Sequence, residues 1–159
     1  MAATPGLDAT CAIARSLALL GDRWTMLIVR ECFWGRSRFS DIRARLGLAP
    51  DLLSSRLARL VDAGVLTRRP YRENGGRGRE EYQLTEAGEE LKTIIFALGE
   101  WGDRHLPVEE SRTPVCTDPS TGGRVRLAFV AADGTRFAPA DVHIRSGDPV
   151  DATVPGDAA

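Results

Sequence analysis

Apolar positions recur at helical spacing in two adjacent segments near the start of the chain. In residues 11–20 the apolar face consists of Ile13, Leu17 and Leu20. This spacing predicts a short helix that ends at Gly21. Residues 23–33 are apolar on most sides, which is typical of a helix at the centre of a core, and Asp22 is suited to cap it.

Two further helices are predicted after a break at Gly35. Arg38 and Phe39 form a short extended piece, and Ser40 is the predicted N-cap of a third helix over 41–46. Pro50 suits the first turn of a fourth helix over 51–63. The predicted core face of this fourth helix comprises Leu53, Leu57, Leu60 and Val61.

The period then changes from helical spacing to alternation. Residues 65–71 and 80–84 alternate as strands do, and a basic, glycine-rich segment joins them, so a β-hairpin is predicted. Thr85 is the predicted cap of a fifth helix, which runs from Glu86 to about Arg104. A stripe along this helix is formed by Leu91, Ile94, Ile95, Leu98 and Trp101.

The chain beyond Pro107 is rich in proline and shows no helical period. Segments 124–131 and 135–137 flank an Asp133-Gly134 pair, which is a hairpin signal, and 142–145 is a candidate third strand. The predicted organisation is a flexible arm at residues 1–9, a helical domain with a hairpin at 10–107, a small β-rich appendage at 108–147 and a disordered tail at 148–159.

Charge is distributed unevenly along a chain whose net charge is only -1. Residues 21–79 contain 13 arginines and 6 acidic residues, a balance of +7, whereas residues 108–159 carry a balance of -3. A strongly basic middle region favours an anionic partner, and nucleic acid is the simplest one. The alternative is a solvated arginine-rich surface in a chain with one lysine, Lys92.

Helices followed by a basic hairpin predict a winged helix-turn-helix, a mainly α fold with a small β wing. The fourth helix is the one that can enter a DNA major groove, where serine and arginine contact phosphates and arginine grips guanine. Candidate DNA-contacting residues are Arg36, Ser37, Arg38, Ser40, Pro50, Asp51, Leu52, Ser54, Ser55, Arg56 and Arg59, with Arg72, Asn74, Arg77 and Arg79 in the wing. Arg56 is expected to set sequence preference, and Arg77 to contact phosphate whatever the sequence.

Four blocks in this order resemble HxlR-type transcriptional regulators: residues 11–24, 38–42, 53–60 and 82–88. The resemblance implies a dimeric, cytoplasmic, winged-helix DNA-binding protein of bacterial or archaeal type. It also implies a dimer interface formed by the first helix and the last long helix. On this chain the interface falls on Ile13, Leu17, Leu20, Leu91, Ile94, Ile95, Leu98 and Trp101. Such a dimer binds a palindromic operator with half-sites about one helical turn apart.

Two positions depart from the family pattern. Ala49 stands where a capping side chain such as serine is common, so the fourth helix lacks that cap. Asp51 stands near a position where lysine is common. An aspartate there favours the helix dipole and repels phosphate, although it could accept a hydrogen bond from a cytosine amino group.

The three cysteines, Cys11, Cys32 and Cys116, form no CxxC pair, so a disulfide framework and a zinc ribbon are disfavoured. Cys11 aligns with a cysteine that some relatives use to sense oxidants, and a helix start near Arg15 could activate it. The alternative is a small packing residue. Cys32 is predicted to be an inert core residue. The two histidines lack ligand spacing, so neither a metal nor a cofactor is predicted.

The sequence leaves several alternatives to DNA-dependent regulation by a homodimer. A small effector could bind between the dimer helices near Trp34 and Trp101, or these tryptophans simply pack in the interface. A MarR-type regulator and a winged-helix protein–protein interaction module are the alternatives, and an enzyme is disfavoured because no catalytic constellation is present. No apolar run approaches the roughly 18 residues of a membrane span and no secretory signal is evident, which favours a cytoplasmic location.

Overall fold

The computed structural model describes residues 10–72, 78–110 and 115–144. Chain contacts divide it into an N-terminal unit, Met1–Val115, and a C-terminal unit, Cys116–Ala159. The N-terminal unit contains α1 (Ala12–Leu20), α2 (Arg23–Phe33), α3 (Phe39–Leu46), α4 (Pro50–Asp62), β1 (Leu66–Tyr71), β2 (Arg79–Leu84) and α5 (Glu86–His105). The C-terminal unit contains β3 (Phe129–Val130), β4 (Arg136–Phe137) and a 3₁₀ turn over Pro139–Asp141.

Local capping signals set most of the helix ends. The Asp22 carboxylate accepts hydrogen bonds from the backbone N–H groups of Trp24 and Thr25, so it caps α2 as predicted. The Thr85 hydroxyl accepts one from Gly88 N–H and caps α5. Gly47 ends α3 with a φ of 66°, in the left-handed region that favours glycine.

The start of α3 differs from the prediction. The helix begins at Phe39, and Arg38 occupies the N-cap position with no side-chain hydrogen bond to the helix. Ser40 lies inside the first turn, where its hydroxyl donates to Asp41 Oδ1. The predicted Ser40 cap is therefore wrong, because a β-bridge between Arg38 and Glu81 holds the chain extended just before Phe39 and the helix follows at once.

The core of the N-terminal unit is contributed by every helix from α2 onward and by β1. Its fully buried hydrophobic side chains are Ile28, Val29, Ile42, Leu53, Leu57, Leu60 and Leu66. Leu53, Leu57 and Leu60 confirm the predicted core face of α4, whereas Val61 is only half-buried at its edge. Burial of each such side chain contributes roughly 2 kcal/mol, so this cluster fixes the packing of α2, α3 and α4.

The two strands of the N-terminal unit form the predicted antiparallel hairpin. Leu66 pairs with Leu84 at its base, and Tyr71 pairs with Arg79 at the far end. The segment before α3 attaches to the hairpin, because Tyr82 N–H donates to the Ser37 carbonyl at 2.7 Å. Helices α1–α4 followed by this hairpin wing and α5 confirm the winged helix-turn-helix fold.

The C-terminal unit confirms the hairpin predicted around Asp133-Gly134. Its two strands pair as Phe129 with Phe137 and Val130 with Arg136, and are much shorter than predicted. The candidate third strand is wrong for residues 142–144, which adopt no regular structure. The 3₁₀ turn that Pro139 begins interrupts the extended chain before this segment can pair.

Candidate nucleic-acid interface

The outer surface of α4 is polar and exposed. The helix packs Leu53, Leu57 and Leu60 into the core, and this turns the intervening positions to the surface. The exposed residues among those predicted to contact DNA on α4 are Pro50, Asp51, Ser54, Ser55 and Arg59. Leu52 is half-buried and packs against the core cluster, so it contributes less to this surface than its predicted role requires.

Arg56 has a partner that the sequence did not indicate. Its Nε lies 3.1 Å from Asp22 Oδ1 and its Nη2 lies 3.1 Å from Asp22 Oδ2, which makes a bidentate ion pair between α4 and the N-terminus of α2. The hydrogen bond from Arg56 is also the main cause that lowers the pKa of Asp22. Arg56, predicted to read bases, is thus engaged within the protein.

Arg59, one turn further along α4, also contacts the beginning of the fold. Its Nη2 donates to the carbonyl oxygen of Ala18 in α1 at 2.9 Å. The side chain remains exposed, so part of its guanidinium is accessible.

Two predicted phosphate contacts in the segment between α2 and α3, Arg36 and Ser37, bind acidic side chains of the protein itself. Glu31 is fully buried, and its carboxylate is 2.6 Å from Arg30 Nη2 and 2.9 Å from Arg36 Nη1. Both guanidinium groups also lie over the ring of Trp34, at 4.8 and 5.7 Å from its centroid. A buried carboxylate requires such partners, so Arg36 compensates Glu31. The single acidic residue of a mostly apolar helix was the sequence signal for this cluster.

Ser37 is likewise engaged within the protein. Its hydroxyl donates to Glu81 Oε2 at 3.2 Å, and Gln83 Nε2 donates to the other oxygen of the same carboxylate at 2.7 Å. These bonds tie the segment before α3 to strand β2. Glu81 therefore joins this segment to the middle of the wing, where it pairs with Arg69 of β1.

Two predicted contact residues, Ser40 and Arg79, come together where α3 meets the wing. A hollow of about 430 Å³ is lined by Ser40 from α3 and by Tyr71 and Arg79 from the two strands, among other residues. The guanidinium of Arg38 lies 4.6 Å from the centroid of the Tyr71 ring. Arg72 is exposed at the end of β1, whereas Asn74 and Arg77 lie outside the described residues.

Four further arginines are exposed near the proposed interface. Arg43 and Arg45 lie on the outer side of α3, and Arg68 and Arg69 lie exposed on β1. Arg43 and Ser40 line a second hollow of about 410 Å³ next to Gly47. In the sequence, only their charge indicates these residues. Helix periodicity distinguishes core positions from surface positions, but it does not show which exposed arginines lie near the interface.

The predicted dimer residues divide into two sets. Ile13, Leu17, Ile94, Leu98 and Trp101 form what we call the apolar face, and their exposed fractions run from 45% to 71%. A groove of about 750 Å³ lies between α1, α2 and α5 beside this face. Leu20 and Ile95 are half-buried against the core instead.

Leu91 was predicted to lie in the dimer interface but lies in the core. It is 9% exposed and belongs to the core cluster, because the first turns of α5 pack directly on Val65 at the start of β1. The prediction that the whole apolar stripe of α5 faces a partner subunit is therefore wrong. Its N-terminal part covers the protein's own core.

The cysteines differ in accessibility. Cys11 is exposed at the N-cap position of α1, and the nearby Arg15 guanidinium donates to the Thr10 carbonyl. Burial raises the pKa of the Cys32 thiol to about 12, with a smaller contribution from Glu31, which agrees with an unreactive core thiol.

Within residues 10–72, 78–110 and 115–144, no cluster of three metal-ligating side chains occurs and no helix is long and apolar enough to cross a membrane.

The sequence profile described as HxlR-like helix-turn-helix matches residues 19–110. The chain belongs to this family. An HTH-type transcriptional regulator of Mycobacterium bovis, Mb3122, is 46% identical over 98 residues, which are 62% of this chain and 61% of Mb3122. The chain thus matches less than two thirds of the length of that relative.

Two solved structures resemble this member of the HxlR-like family. PA1607, a candidate transcription factor, has a TM-score of 0.73 and 34% identity over 88% of this chain and 97% of PA1607. HypR, a redox regulator in its reduced form, has a TM-score of 0.54 and 25% identity over 60% of this chain and 95% of HypR. The likeness to PA1607 therefore includes residues of the C-terminal unit, whereas HypR covers much less of the chain.

Proposed function

We propose that this protein is a homodimeric transcriptional regulator that binds palindromic operator DNA. The observation that carries the proposal is the polar, exposed outer surface of α4 on a winged helix-turn-helix that also exposes Ser40 of α3 and Arg79 at the far end of the paired strands. Membership of the HxlR-like family and the description of its relatives as transcriptional regulators support it.

The proposed contacts divide into base readout and phosphate binding. Ser54 and Ser55 on α4 face the major groove, and Asp51 accepts a hydrogen bond from a cytosine amino group. Phosphates are bound by Ser40, Arg72 and Arg79, and the phosphate contacts predicted from the sequence for Asn74 and Arg77 complete this set. The exposed Arg43 joins the phosphate contacts.

The proposed dimer forms through the apolar face. Side chains as large as Leu98 and Trp101, each 56% exposed, are costly to leave in water when they are contiguous. A two-fold axis through this face presents two copies of α4, and half-sites about one helical turn apart follow from that symmetry. Light scattering at micromolar concentration should give a dimer for the native chain and a monomer for Leu98→Glu. A monomeric native chain would contradict the proposal.

DNA binding is tested by a salt titration against the fragment directly upstream of the protein's own gene and a random fragment of equal length. We expect a clear preference for the upstream fragment and an affinity that falls linearly with the logarithm of salt concentration. Arg79→Gln should weaken binding to both fragments about three- to tenfold and lower the salt slope by about 1. Arg126→Gln, which removes one positive charge from the C-terminal unit, is the matched control and should change neither.

Each other outcome of this titration has a defined meaning. Equal affinity for both fragments contradicts operator recognition and leaves only electrostatic attraction by the basic region. Absence of binding at low salt contradicts DNA binding altogether, and a protein–protein interaction module then becomes the better hypothesis.

Thiol oxidation at Cys11 is a second proposal, supported by the exposure of this side chain and by the likeness to HypR. Treatment with a mild oxidant should change operator affinity in the native protein and leave Cys11→Ser unaffected. An equal response in Cys11→Ser would reject Cys11 as the sensor.

A further inference from the structure

Asp22 joins three parts of the N-terminal unit. Its carboxylate caps α2, it forms the bidentate ion pair with Arg56 of α4, and it lies on the rim of the groove beside the apolar face. The side chains of Asp22 and Arg56 are 31% and 21% exposed, so the pair is only partly screened by water. One carboxylate therefore connects the proposed recognition helix to the proposed dimer surface.

A second tie connects the same two regions. Arg59 donates to the carbonyl of Ala18, only four residues before Asp22. Arg56 and Arg59 are one helical turn apart and so project from the same side of α4. Together they attach two successive turns of α4 to residues 18–22, the junction between α1 and α2.

The junction itself has little room to adjust. Gly21 N–H donates to the Leu17 carbonyl at 2.8 Å, and a Cβ at position 21 would lie 2.5 Å from that same oxygen. A planar guanidinium held by both carboxylate oxygens resists rotation as well as separation. A helix tied at two turns to such a junction keeps a defined angle to α1.

We propose that Arg56 and Arg59 are positioning residues that fix α4 to the α1–α2 junction. In the dimer they set the separation and angle of the two recognition helices, and hence the half-site spacing that the protein selects. This inference rests on the proposed operator binding, and it assigns Arg56 a role different from base readout.

The test measures affinity for the native operator, for operators whose half-site spacing is changed by one base pair in either direction, and for single-base substitutions within a half-site. The variants are Asp22→Ser, Arg56→Gln and the double variant. Arg59→Gln removes the second tie, and Arg126→Gln is the charge control. Serine is a good N-cap, so Asp22→Ser removes the ion pair while keeping the cap of α2.

We expect Asp22→Ser and Arg56→Gln each to weaken binding to the native operator about tenfold, a typical size for residues that affect a binding site without touching the ligand. The double variant should be no weaker than Arg56→Gln alone, because both changes break one interaction. Discrimination between spacings should fall in all three variants, and in Arg59→Gln to a smaller extent. Base preference within the half-site should stay unchanged.

Three results would overturn the inference. The first is a change of base preference in Arg56→Gln that Asp22→Ser does not share, which would make Arg56 a base-reading residue. The second is an additive loss of about a hundredfold in the double variant. The third is recovery of affinity and spacing discrimination in Arg56→Lys, which keeps the charge but cannot form the bidentate pair and would identify a simple phosphate contact.

Two controls separate these results from other failures. Circular dichroism and light scattering verify that each variant is folded and has the native oligomeric state, and Arg56→Lys replaces Arg56→Gln if the latter is unfolded. A native protein that binds none of the DNA fragments would overturn the proposed function and this inference with it. If the native protein binds its operator but the losses of affinity in Asp22→Ser and Arg56→Gln add in the double variant, only this inference is overturned.

Discussion

The two units of this chain are ordered by different interactions. In the N-terminal unit, eleven hydrophobic side chains are buried among the described residues, and the main cluster runs from Ile28 to Leu91. Among the described residues 116–144 of the C-terminal unit, none is buried, and Phe129, Val130 and Phe137 are 52%, 57% and 42% exposed. The N-terminal unit is therefore held by apolar burial, whereas local polar contacts order the C-terminal unit.

Aspartate-centred turns supply the local contacts of the C-terminal unit. Asp118 accepts hydrogen bonds from the backbone and side chain of Ser120 and from the hydroxyl of Thr121. Asp133 accepts one from Thr135 N–H within the β3–β4 turn. Turns of this kind order a few residues at a time, whereas burial couples segments far apart in the chain.

The sharpest test of this comparison is truncation of one apolar side chain in each unit. Leu57→Ala should lower the free energy of unfolding by about 3 kcal/mol, because it leaves a cavity in the fully buried core. Val130→Ala, the control in the C-terminal unit, should change it by no more than about 0.5 kcal/mol. Urea denaturation measures both, and comparable losses would contradict the distinction.

A second test uses two glycines of α5. Gly88 is buried, and a Cβ there would meet the Val65 carbonyl oxygen and the Leu84 side chain, so Gly88→Ala should cost about 1–3 kcal/mol. Gly102 has open space at the same atom, so Gly102→Ala should stabilise the protein by about 0.5–1 kcal/mol through helix propensity. Thermal unfolding gives both values, and a stabilising Gly88→Ala would mean that α5 and β1 pack less closely.

A third test removes the C-terminal unit by ending the chain after residue 110, where the family match ends. All members of the core cluster and the residues packed on it lie between Leu19 and Ile95. The melting temperature should therefore change by less than about 5 °C, equivalent to roughly 1 kcal/mol. A much larger drop would show that the exposed apolar residues of the C-terminal unit contribute to the stability of the whole chain.

The smallest expected effect concerns the pH dependence of the Asp118 turn. Hydrogen bonds, above all from Ser120, lower the pKa of Asp118 from 3.8 to about 2. A depressed pKa means that the stabilising contribution is complete above pH 3.8 and is lost as the pH falls through about 2. The amide shift of Ser120 should follow this transition by NMR. Asp118→Asn should lack it, and a midpoint near 3.8 would contradict the hydrogen-bonded turn.

Much of the fold was predictable because its signals are local. The bounds of α2, the caps Asp22 and Thr85, and the turn at Asp133-Gly134 all depend on residues within a few positions of one another. One error in a helix boundary arose where a distant strand intervened. Ser40 failed as a cap because Glu81, 41 residues later in the chain, bridges to the residue two positions before it.

The candidate site was less predictable than the fold. Counting arginines located a basic region, but Arg36 compensates the buried Glu31 and Arg56 pairs with Asp22. Which arginines remain accessible depends on contacts between segments up to 41 residues apart. Charge is a property of composition, whereas accessibility of that charge is a property of packing.

The sequence by itself determined which segments are helical, where the wing turns and which family pattern the chain follows, because capping, turn chemistry and hydrophobic period act over short distances. Only the tertiary structure decided how each apolar stripe is used. Leu91 and Ile95 of α5 pack on the core while Ile94, Leu98 and Trp101 remain exposed, although all five belong to one stripe. The physical reason is that a helix can bury only the side that neighbouring elements cover, and the position of those neighbours is set by the whole core.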